Sequence, residues 1–176
     1  MMATSLRTDR LIARAWSPDK DALAAYEIYS DPAVVRYLSS IREPVSSVDE
    51  AREYLTDWCM RSDDPAYGFW AVQPVDGGDP IGTAFVRPLP PLNSDVEIGW
   101  HLHPAHWGKG YATEIGQATI DYAFRKGVAE VYAVIKPGND RSAAVARRLG
   151  MEYVGRTDKY YGQEMDVYRI RPGDLL

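Results

Sequence analysis

The residues best suited to chemistry lie in residues 103–112, which read His-Pro-Ala-His-Trp-Gly-Lys-Gly-Tyr-Ala. They follow an alternating segment typical of a strand, Val96 to Leu102, and precede an amphipathic segment typical of a helix. The first N–H groups of a helix lack partners within it, and the helix dipole adds partial positive charge there. Gly108 and Gly110 allow close approach of the backbone, and Lys109 supplies a positive charge. These features predict a site for a phosphate or pyrophosphate, with an ordinary glycine-rich turn as the alternative.

Two common phosphate motifs do not fit this segment. A P-loop requires glycine, four further residues and then Gly-Lys-Ser/Thr, which the stretch from Gly108 to Gly110 does not supply. A dinucleotide-binding loop requires three glycines spaced G-x-G-x-x-G, but Thr113 occupies the third position. An oxidoreductase of the NAD type is therefore disfavoured.

The pattern of apolar and turn-forming residues predicts the elements that position this segment. Strands are expected at Leu11 to Trp16, Phe69 to Gln73, Ile81 to Val86, Val96 to Leu102, Val128 to Ile135, Tyr153 to Arg156 and Met165 to Ile170. Helices are expected at Pro18 to Ser30, Ser47 to Arg61, Tyr111 to Lys126 and Asn139 to Leu149. This order predicts an α/β fold, a mixed sheet with helices packed on both faces.

Length and composition restrict the function further. The 176 residues suit a single domain spanning residues 1–176, and the net charge of −5 argues against a nucleic-acid-coating protein. One cysteine and three histidines offer no metal-site spacing, so no metal is expected. The apolar runs are shorter than the roughly 18 residues of a membrane span, so we expect a cytoplasmic protein that does not bind membranes.

Several groups of residues together resemble the GNAT superfamily of acyltransferases. The stretch Val96-Glu97-Ile98-Gly99-Trp100 and residues 103–114 are similar to motif A, above all in the branch of ribosomal-protein N-terminal acetyltransferases. Residues 139–151 are similar to motif B, and residues 8–11 and 166–168 are also of this branch's type. The resemblance implies a central, mostly antiparallel twisted sheet of about seven strands with helices on both faces. It also suggests a homodimer.

The resemblance implies acetyl-CoA as co-substrate. In this family the motif Q/R-x-x-G-x-G/A binds the coenzyme pyrophosphate, but Trp107 replaces the Gln or Arg here. The change removes a side-chain contact and leaves the backbone amides in place. Asn139 is expected to contact the pantetheine arm, although asparagine also caps helices. The predicted coenzyme-binding residues are Leu102, Trp107, Gly108, Lys109, Gly110, Tyr111, Ala112, Asn139 and Ser142.

The resemblance also implies transfer of an acetyl group to a primary amine by direct attack in a ternary complex. Glu97 is the candidate base, because alternation places it on the strand face of Gly99 and His101, shortly before the loop. A solvated or hydrogen-bonded strand residue is the alternative interpretation. His101 and His103 are weaker candidates, because each can satisfy backbone groups near the loop.

The acid that protonates the leaving thiolate is less well specified. Many family members use a tyrosine seven residues after the motif B asparagine, but Ala146 occupies that position. Ser142 is the candidate acid, with helix capping as the alternative, and Tyr160 or Tyr161 could substitute. The backbone N–H of Leu102 is expected to meet the carbonyl oxygen under attack.

The acceptor pocket is expected between residues 30–44 and 88–94, the least patterned parts of the chain. Five aromatic residues are interpreted as core, with one or two of them lining the pocket: Trp58, Phe69, Trp70, Phe85 and Trp100. Cys59 lies mid-helix, remote from the loop, and is a poor nucleophile candidate. The expected acceptor is a small-molecule amine or a protein N-terminal amine, and a larger acyl-CoA such as succinyl-CoA stays open as the donor. The competing hypothesis is a non-catalytic coenzyme A-binding sensor or interaction module.

Overall fold

The structure, a computed structural model, describes residues 5–61 and 64–175. Its strands are β1 (Leu6–Arg7), β2 (Leu11–Ala15), β3 (Gly68–Pro74), β4 (Gly82–Pro88), β5 (Val96–Leu102), β6 (Val131–Ile135), β7 (Glu152–Thr157) and β8 (Met165–Ile170). Its helices are α1 (Pro18–Tyr29), α2 (Pro32–Val35), α3 (Val48–Arg61), α4 (Tyr111–Arg125) and α5 (Asp140–Arg148), with short 3₁₀ turns at Pro104–His106 and Pro172–Asp174.

The eight strands form one sheet in the order β1-β2-β3-β4-β5-β6-β8-β7. Strands β5 and β6 run parallel, and the other neighbouring pairs are antiparallel. Strands β5 and β6 pair at Glu97 and Tyr132, whereas β4 and β5 pair along their whole length. Beyond Glu97 the two central strands are therefore no longer held together by ladder hydrogen bonds.

Helices cover both faces of this sheet. One face carries α1, α2 and α3, whose apolar side chains pack with Phe69, Ala71 and Phe85. The other carries α4 and α5, whose Ile115, Ile120 and other buried residues pack against the opposite side of the strands. The mixed, mostly antiparallel sheet with helices on both faces is thus confirmed. No helix of the described chain is both long and apolar enough to cross a bilayer.

Among the differences from the sequence-based expectation, two concern how the sheet is built. The sheet has eight strands rather than about seven, because the two-residue strand β1 pairs with β2 and is too short to show an alternating pattern. Strand β6 begins at Val131 rather than Val128, because the Val128 N–H still donates to the Ala123 carbonyl at the end of α4. Gly127 adopts a φ of 84° in that turn, so the chain leaves the helix there before it enters the sheet.

Candidate active site

A cavity of about 720 Å³ lies where β5 and β6 separate. Residues 97–102 of β5 form one wall and residues 133–135 of β6 form the other. The remaining lining comes from Phe85 and Arg87 of β4, from residues 138–142, 144, 145 and 148 at and after the start of α5, from Trp107 and Ala112, and from most of residues 33–40. Parts of the predicted coenzyme loop, of the predicted second motif and of one predicted acceptor wall therefore border one cavity.

The glycine-rich loop has the backbone conformation that an anion site needs. Gly108 and Gly110 adopt φ angles of 75° and 79°, which L-residues with side chains rarely adopt. The first hydrogen bond of α4 joins the Glu114 N–H to the Gly110 carbonyl at 3.0 Å. Within the described part of the chain, no acceptor is found for the N–H groups of residues 108–113. A Cβ built at Gly108 would meet nothing within 4 Å, so space beside the loop is open to a ligand.

Residues of the N-terminal segment bond to this loop and to the first turn of α4. The Glu114 carboxylate accepts hydrogen bonds from the Thr8 hydroxyl at 2.6 Å and from the Arg10 backbone N–H at 2.9 Å. The Arg10 side chain adds a salt bridge to Glu114 at 2.7 Å and donates to the Lys109 carbonyl at 2.9 Å. Sequence reasoning noted Thr8 and Arg10 only as part of a resemblance and did not assign them this role.

Trp107 turns its indole toward the end of β5. Its Nε1–H donates to the Leu102 carbonyl at 2.8 Å, which fixes the ring at the mouth of the cavity. The Arg141 guanidinium, from the first turn of α5, lies over this ring with 3.6 Å between Cζ and the ring centroid. Trp107, which follows β5, and Arg141, which follows β6, are therefore in contact across the gap between these strands.

Asn139 and Ser142 start α5 together. The Asn139 Oδ1 accepts from the Ser142 N–H at 3.3 Å, and its Nδ2 donates to the Ser142 Oγ at 3.1 Å. Asn139 is thus the helix N-cap, as asparagine commonly is. Both residues also line the cavity. Because the Ser142 hydroxyl accepts the bond from Asn139, its own proton remains available to a ligand.

Glu97 is buried, with 4% of its surface exposed, and it borders the cavity. Its Oε2 forms a salt bridge with the Arg87 Nε at 2.8 Å and accepts a hydrogen bond from the Tyr161 hydroxyl. Arg87 also lies over the Phe85 ring at 4.7 Å. The carboxylate is therefore hydrogen-bonded, as one of the two sequence-based interpretations expected. Local sequence patterns do not indicate these partners, because Arg87 lies on the neighbouring strand and Tyr161 is 64 residues away.

The two histidines near the loop have different surroundings. The Tyr29 hydroxyl lies 3.0 Å from the Nδ1 of His101, which borders the cavity and is partly buried. Burial, and to a smaller extent the Arg87 charge, lowers the pKa of His101 to about 3, so this side chain is neutral near pH 7. His103 accepts the Ala105 N–H through Nδ1 at 3.1 Å and caps the following 3₁₀ turn.

Only one of the two segments expected to form the acceptor pocket borders this cavity. Most of residues 33–40 line it, but residues 88–94 are absent from the described lining. Leu89 instead packs with Tyr160 and Val167 in a small separate cluster, because the loop turns away after β4. Of the five aromatic residues expected in the core, Phe85 and Trp100 also line the cavity.

Two bonds join residues 33–40 to the segment before α5. The Tyr37 hydroxyl donates to the Gly138 carbonyl at 3.3 Å, and the Lys136 Nζ donates to the Leu38 carbonyl at 2.6 Å. Together these bonds hold residues 33–40 against the segment that precedes α5.

Neither metal nor cysteine chemistry has a visible centre here. Across residues 5–61 and 64–175, no group of three or more His, Cys, Asp or Glu side chains is placed to hold a metal ion. Cys59 lies in α3, away from the described cavity lining, and its Sγ contacts the Trp16 carbonyl at 3.3 Å. Burial raises the pKa of the Cys59 thiol, which disfavours the reactive thiolate.

Comparison with known proteins defines the class of this protein. Residues 10–152 match the family described as the acetyltransferase (GNAT) domain, so the chain belongs to the GNAT acetyltransferases. It is 31% identical over 169 residues to the uncharacterized protein YkkB of Bacillus subtilis, covering 94% of each chain. It is 27% identical to the uncharacterized N-acetyltransferase YoaA of the same organism, covering 93% of this chain and 91% of that one.

Solved structures share the fold. A GNAT-family acetyltransferase from Bacillus anthracis superposes with a TM-score of 0.78 at 23% identity, covering 96% of this chain and 98% of that one. RimL, a ribosomal-protein alpha-N-protein acetyltransferase in complex with coenzyme A, superposes with a TM-score of 0.79 at 18% identity and the same coverage. The family match confirms the family predicted from the sequence, whose members use acetyl-CoA, and the solved structures confirm the fold.

Proposed function

We propose that this protein transfers the acetyl group of acetyl-CoA to a primary amine by direct attack within a ternary complex. The observation that carries the proposal is the row of N–H groups at residues 108–113, which lack acceptors among the described residues. Ala112 of this row and the preceding Trp107 line a cavity that extends to the buried carboxylate of Glu97. One cavity can thus hold an anionic coenzyme at one end and an amine at the other.

The residues fit the coenzyme by their chemistry. A pyrophosphate carries many acceptor oxygens and no donors, so it matches free N–H groups at a helix N-terminus with the partial positive charge found there. We assign this role to Gly108, Lys109, Gly110, Tyr111 and Ala112. Leu102, Trp107, Asn139 and Ser142 are assigned to the rest of the coenzyme. When bound, acetyl-CoA supplies an activated acetyl thioester.

The reaction forms a bond from the amine nitrogen to the acetyl carbonyl carbon, breaks the carbon–sulfur bond, and moves one proton from nitrogen to sulfur. We assign proton removal to Glu97, directly or through a water molecule, because it is a carboxylate bordering the cavity. Its ion pair with Arg87 and its bond to Tyr161 keep it in one orientation. Both bonds are made to Oε2, so Oε1 is the oxygen we assign to the proton.

The backbone and Ser142 complete the proposed machinery. The His103 N–H donates to the Ile81 carbonyl at 2.8 Å. Because successive residues of a strand direct their N–H groups to opposite sides, the Leu102 N–H points toward the gap beside β6. It is positioned to stabilise negative charge on the carbonyl oxygen. Ser142, oriented by Asn139, donates a proton to the departing sulfur.

The acceptor class is assigned from relatives and from the cavity. The RimL structure belongs to an enzyme of protein alpha-amines, and a 30% identical relative from Aspergillus fumigatus is named FsC-acetyl coenzyme A-N(2)-transacetylase. That relative matches 70% of this chain and 55% of its own length. Both names describe transfer to nitrogen, so a small-molecule amine and a protein N-terminal amine are the two acceptors to test.

The test measures thiol release from acetyl-CoA with a panel of small amines and peptide N-termini. Wild-type protein should release thiol, and Glu97→Gln should lower kcat about 100-fold, the usual contribution of a general base. Ser142→Ala should lower kcat about tenfold. Tight coenzyme binding without thiol release from any amine would favour the coenzyme A-binding sensor instead.

A further inference from the structure

The coenzyme loop lacks the polar side chain that its signature normally provides at position 107. Trp107 replaces the Gln or Arg of the motif, and its Nε1–H is already bonded to the Leu102 carbonyl at 2.8 Å. An indole has no other donor. The side chain at position 107 therefore has no polar group left for a phosphate.

The Arg141 guanidinium lies over the Trp107 ring. The Arg141 Cζ lies 3.6 Å from the Trp107 ring centroid, close enough for face-to-face stacking. Stacking occupies the face of a guanidinium and leaves its N–H groups, which point outward in its plane, free to bind an anion in bidentate fashion. Arg141 is thus held in place without using its donors.

The charge of Arg141 is also uncompensated. Among the described residues, no Asp or Glu oxygen lies within 4.0 Å of its nitrogens and no acceptor is found for them. By contrast, Arg10 is paired with Glu114 and Arg87 with Glu97. Arg141 lines the cavity from the α5 side, opposite the loop. An unpaired cation at a fixed position beside free N–H groups has the chemistry of a phosphate contact.

We infer that Arg141, positioned by Trp107, supplies the cationic side-chain contact to the coenzyme pyrophosphate that the signature places at position 107. The contact is thereby moved from the loop before α4 to the first turn of α5. This inference rests on the proposed function, because it concerns the same coenzyme.

The experiment compares wild-type protein with Arg141→Gln and with Arg125→Gln. Arg125 is an exposed arginine at the far end of α4, so its substitution makes the same charge change away from the cavity. Calorimetry gives the Kd for coenzyme A and for 3′-dephospho-coenzyme A, and ligand-observed NMR gives the Kd for pantetheine, which has no phosphate. Arg141 is exposed, so the variant should fold, and its melting temperature checks this.

Arg141→Gln should weaken the binding of coenzyme A and of 3′-dephospho-coenzyme A by the same factor, about tenfold. The affinity for pantetheine should not change. Arg125→Gln should stay within about twofold of wild type. Wild-type affinity in Arg141→Gln would overturn the inference and leave the proposed function standing. A loss confined to coenzyme A would move the contact to the 3′-phosphate and overturn the pyrophosphate assignment. A wild-type protein that binds none of the three ligands would overturn the proposed function as well.

Discussion

Arg10 links Glu114, in the first turn of α4, to the Lys109 carbonyl of the glycine-rich loop. Its Nε forms a salt bridge with the Glu114 carboxylate at 2.7 Å while its Nη1 donates to the Lys109 carbonyl at 2.9 Å. The Lys109 carbonyl and the Gly110 N–H belong to one planar peptide unit, in which they point in opposite directions. Fixing the carbonyl on the Arg10 side therefore directs the Gly110 N–H away from Arg10.

Arg10→Gln should weaken coenzyme A binding by about tenfold, because a hydrogen bond to a charged group contributes about 1.5 kcal/mol. The melting temperature should change little, because the side chain of Arg10 is 49% exposed and exposed ion pairs stabilise weakly. Calorimetry and thermal unfolding measure the two effects. Arg7→Gln, an exposed arginine on the neighbouring strand β1, controls for the lost charge. Equal loss of affinity in both variants would show a general charge effect and contradict the linking role.

Local patterns predicted the elements well. Strand β5 has the predicted bounds, Val96–Leu102, and α4 starts at the predicted Tyr111. Alternation of apolar residues defines the strand, and the glycines before Tyr111 define the start of the helix. A few neighbouring residues are therefore enough to predict these bounds. The glycine-rich loop before α4 could be located for the same reason.

Contacts between distant residues were not predictable in this way. Glu114 and Arg10 are 104 residues apart, and Tyr161 reaches Glu97 from the turn between β7 and β8. Side-chain contacts of this kind depend on the order of the strands in the sheet, which local periodicity does not encode. The stacking of Arg141 on Trp107 likewise depends on the gap between β5 and β6.

Gly108→Ala should weaken coenzyme A binding more than its effect on stability explains. An alanine at a φ of 75° costs about 1 kcal/mol of folding free energy, and its methyl group would enter the open space beside the loop. Gly127→Ala is the matched control, since Gly127 has a φ of 84°, no neighbour within 4 Å of a built Cβ, and a position at the other end of α4. Both variants should lose similar stability in urea unfolding, whereas only Gly108→Ala should lose affinity. Similar affinities in the two variants would remove the loop from the coenzyme site.

His101→Gln should reduce the acid sensitivity of the fold. The native pKa of His101 is about 3, whereas an unfolded histidine titrates near 6.5. Between these pH values the unfolded chain binds a proton that the native protein does not, so stability is full above pH 6.5 and falls as the pH is lowered. The maximum slope for one such group is about 1.4 kcal/mol per pH unit.

Urea unfolding of wild type, His101→Gln and His103→Gln at several values between pH 4 and pH 7 measures this slope. Glutamine can still accept a hydrogen bond from Tyr29, so the variant keeps this contact while losing the titration. The difference in stability between wild type and His101→Gln should shift by several kcal/mol across the range. A parallel pH dependence of the two proteins would show that the pKa of His101 is the same in the native and unfolded states, and would contradict the lowered native pKa.

Lys136→Met should raise the KM for the amine while leaving coenzyme affinity unchanged. The Lys136 Nζ donates to the Leu38 carbonyl at 2.6 Å, and this bond anchors residues 33–40 across the cavity opening. Methionine keeps much of the apolar stem but removes the donor, so the loop should become more mobile beside the proposed acceptor site. We expect a rise in KM of about fivefold, which corresponds to about 1 kcal/mol, the contribution of one hydrogen bond.

Lys20→Met, on the exposed surface of α1, controls for the charge change. Tyr37→Phe removes the second anchoring bond, from the Tyr37 hydroxyl to the Gly138 carbonyl, and should act in the same direction. Because the two bonds restrain one loop, the double variant should raise KM by more than the product of the single effects if either bond alone suffices, and by less if both are needed. Steady-state kinetics at saturating acetyl-CoA distinguishes these outcomes. A rise in the Kd for coenzyme A without any change in the KM for the amine would assign residues 33–40 to the coenzyme side of the cavity instead.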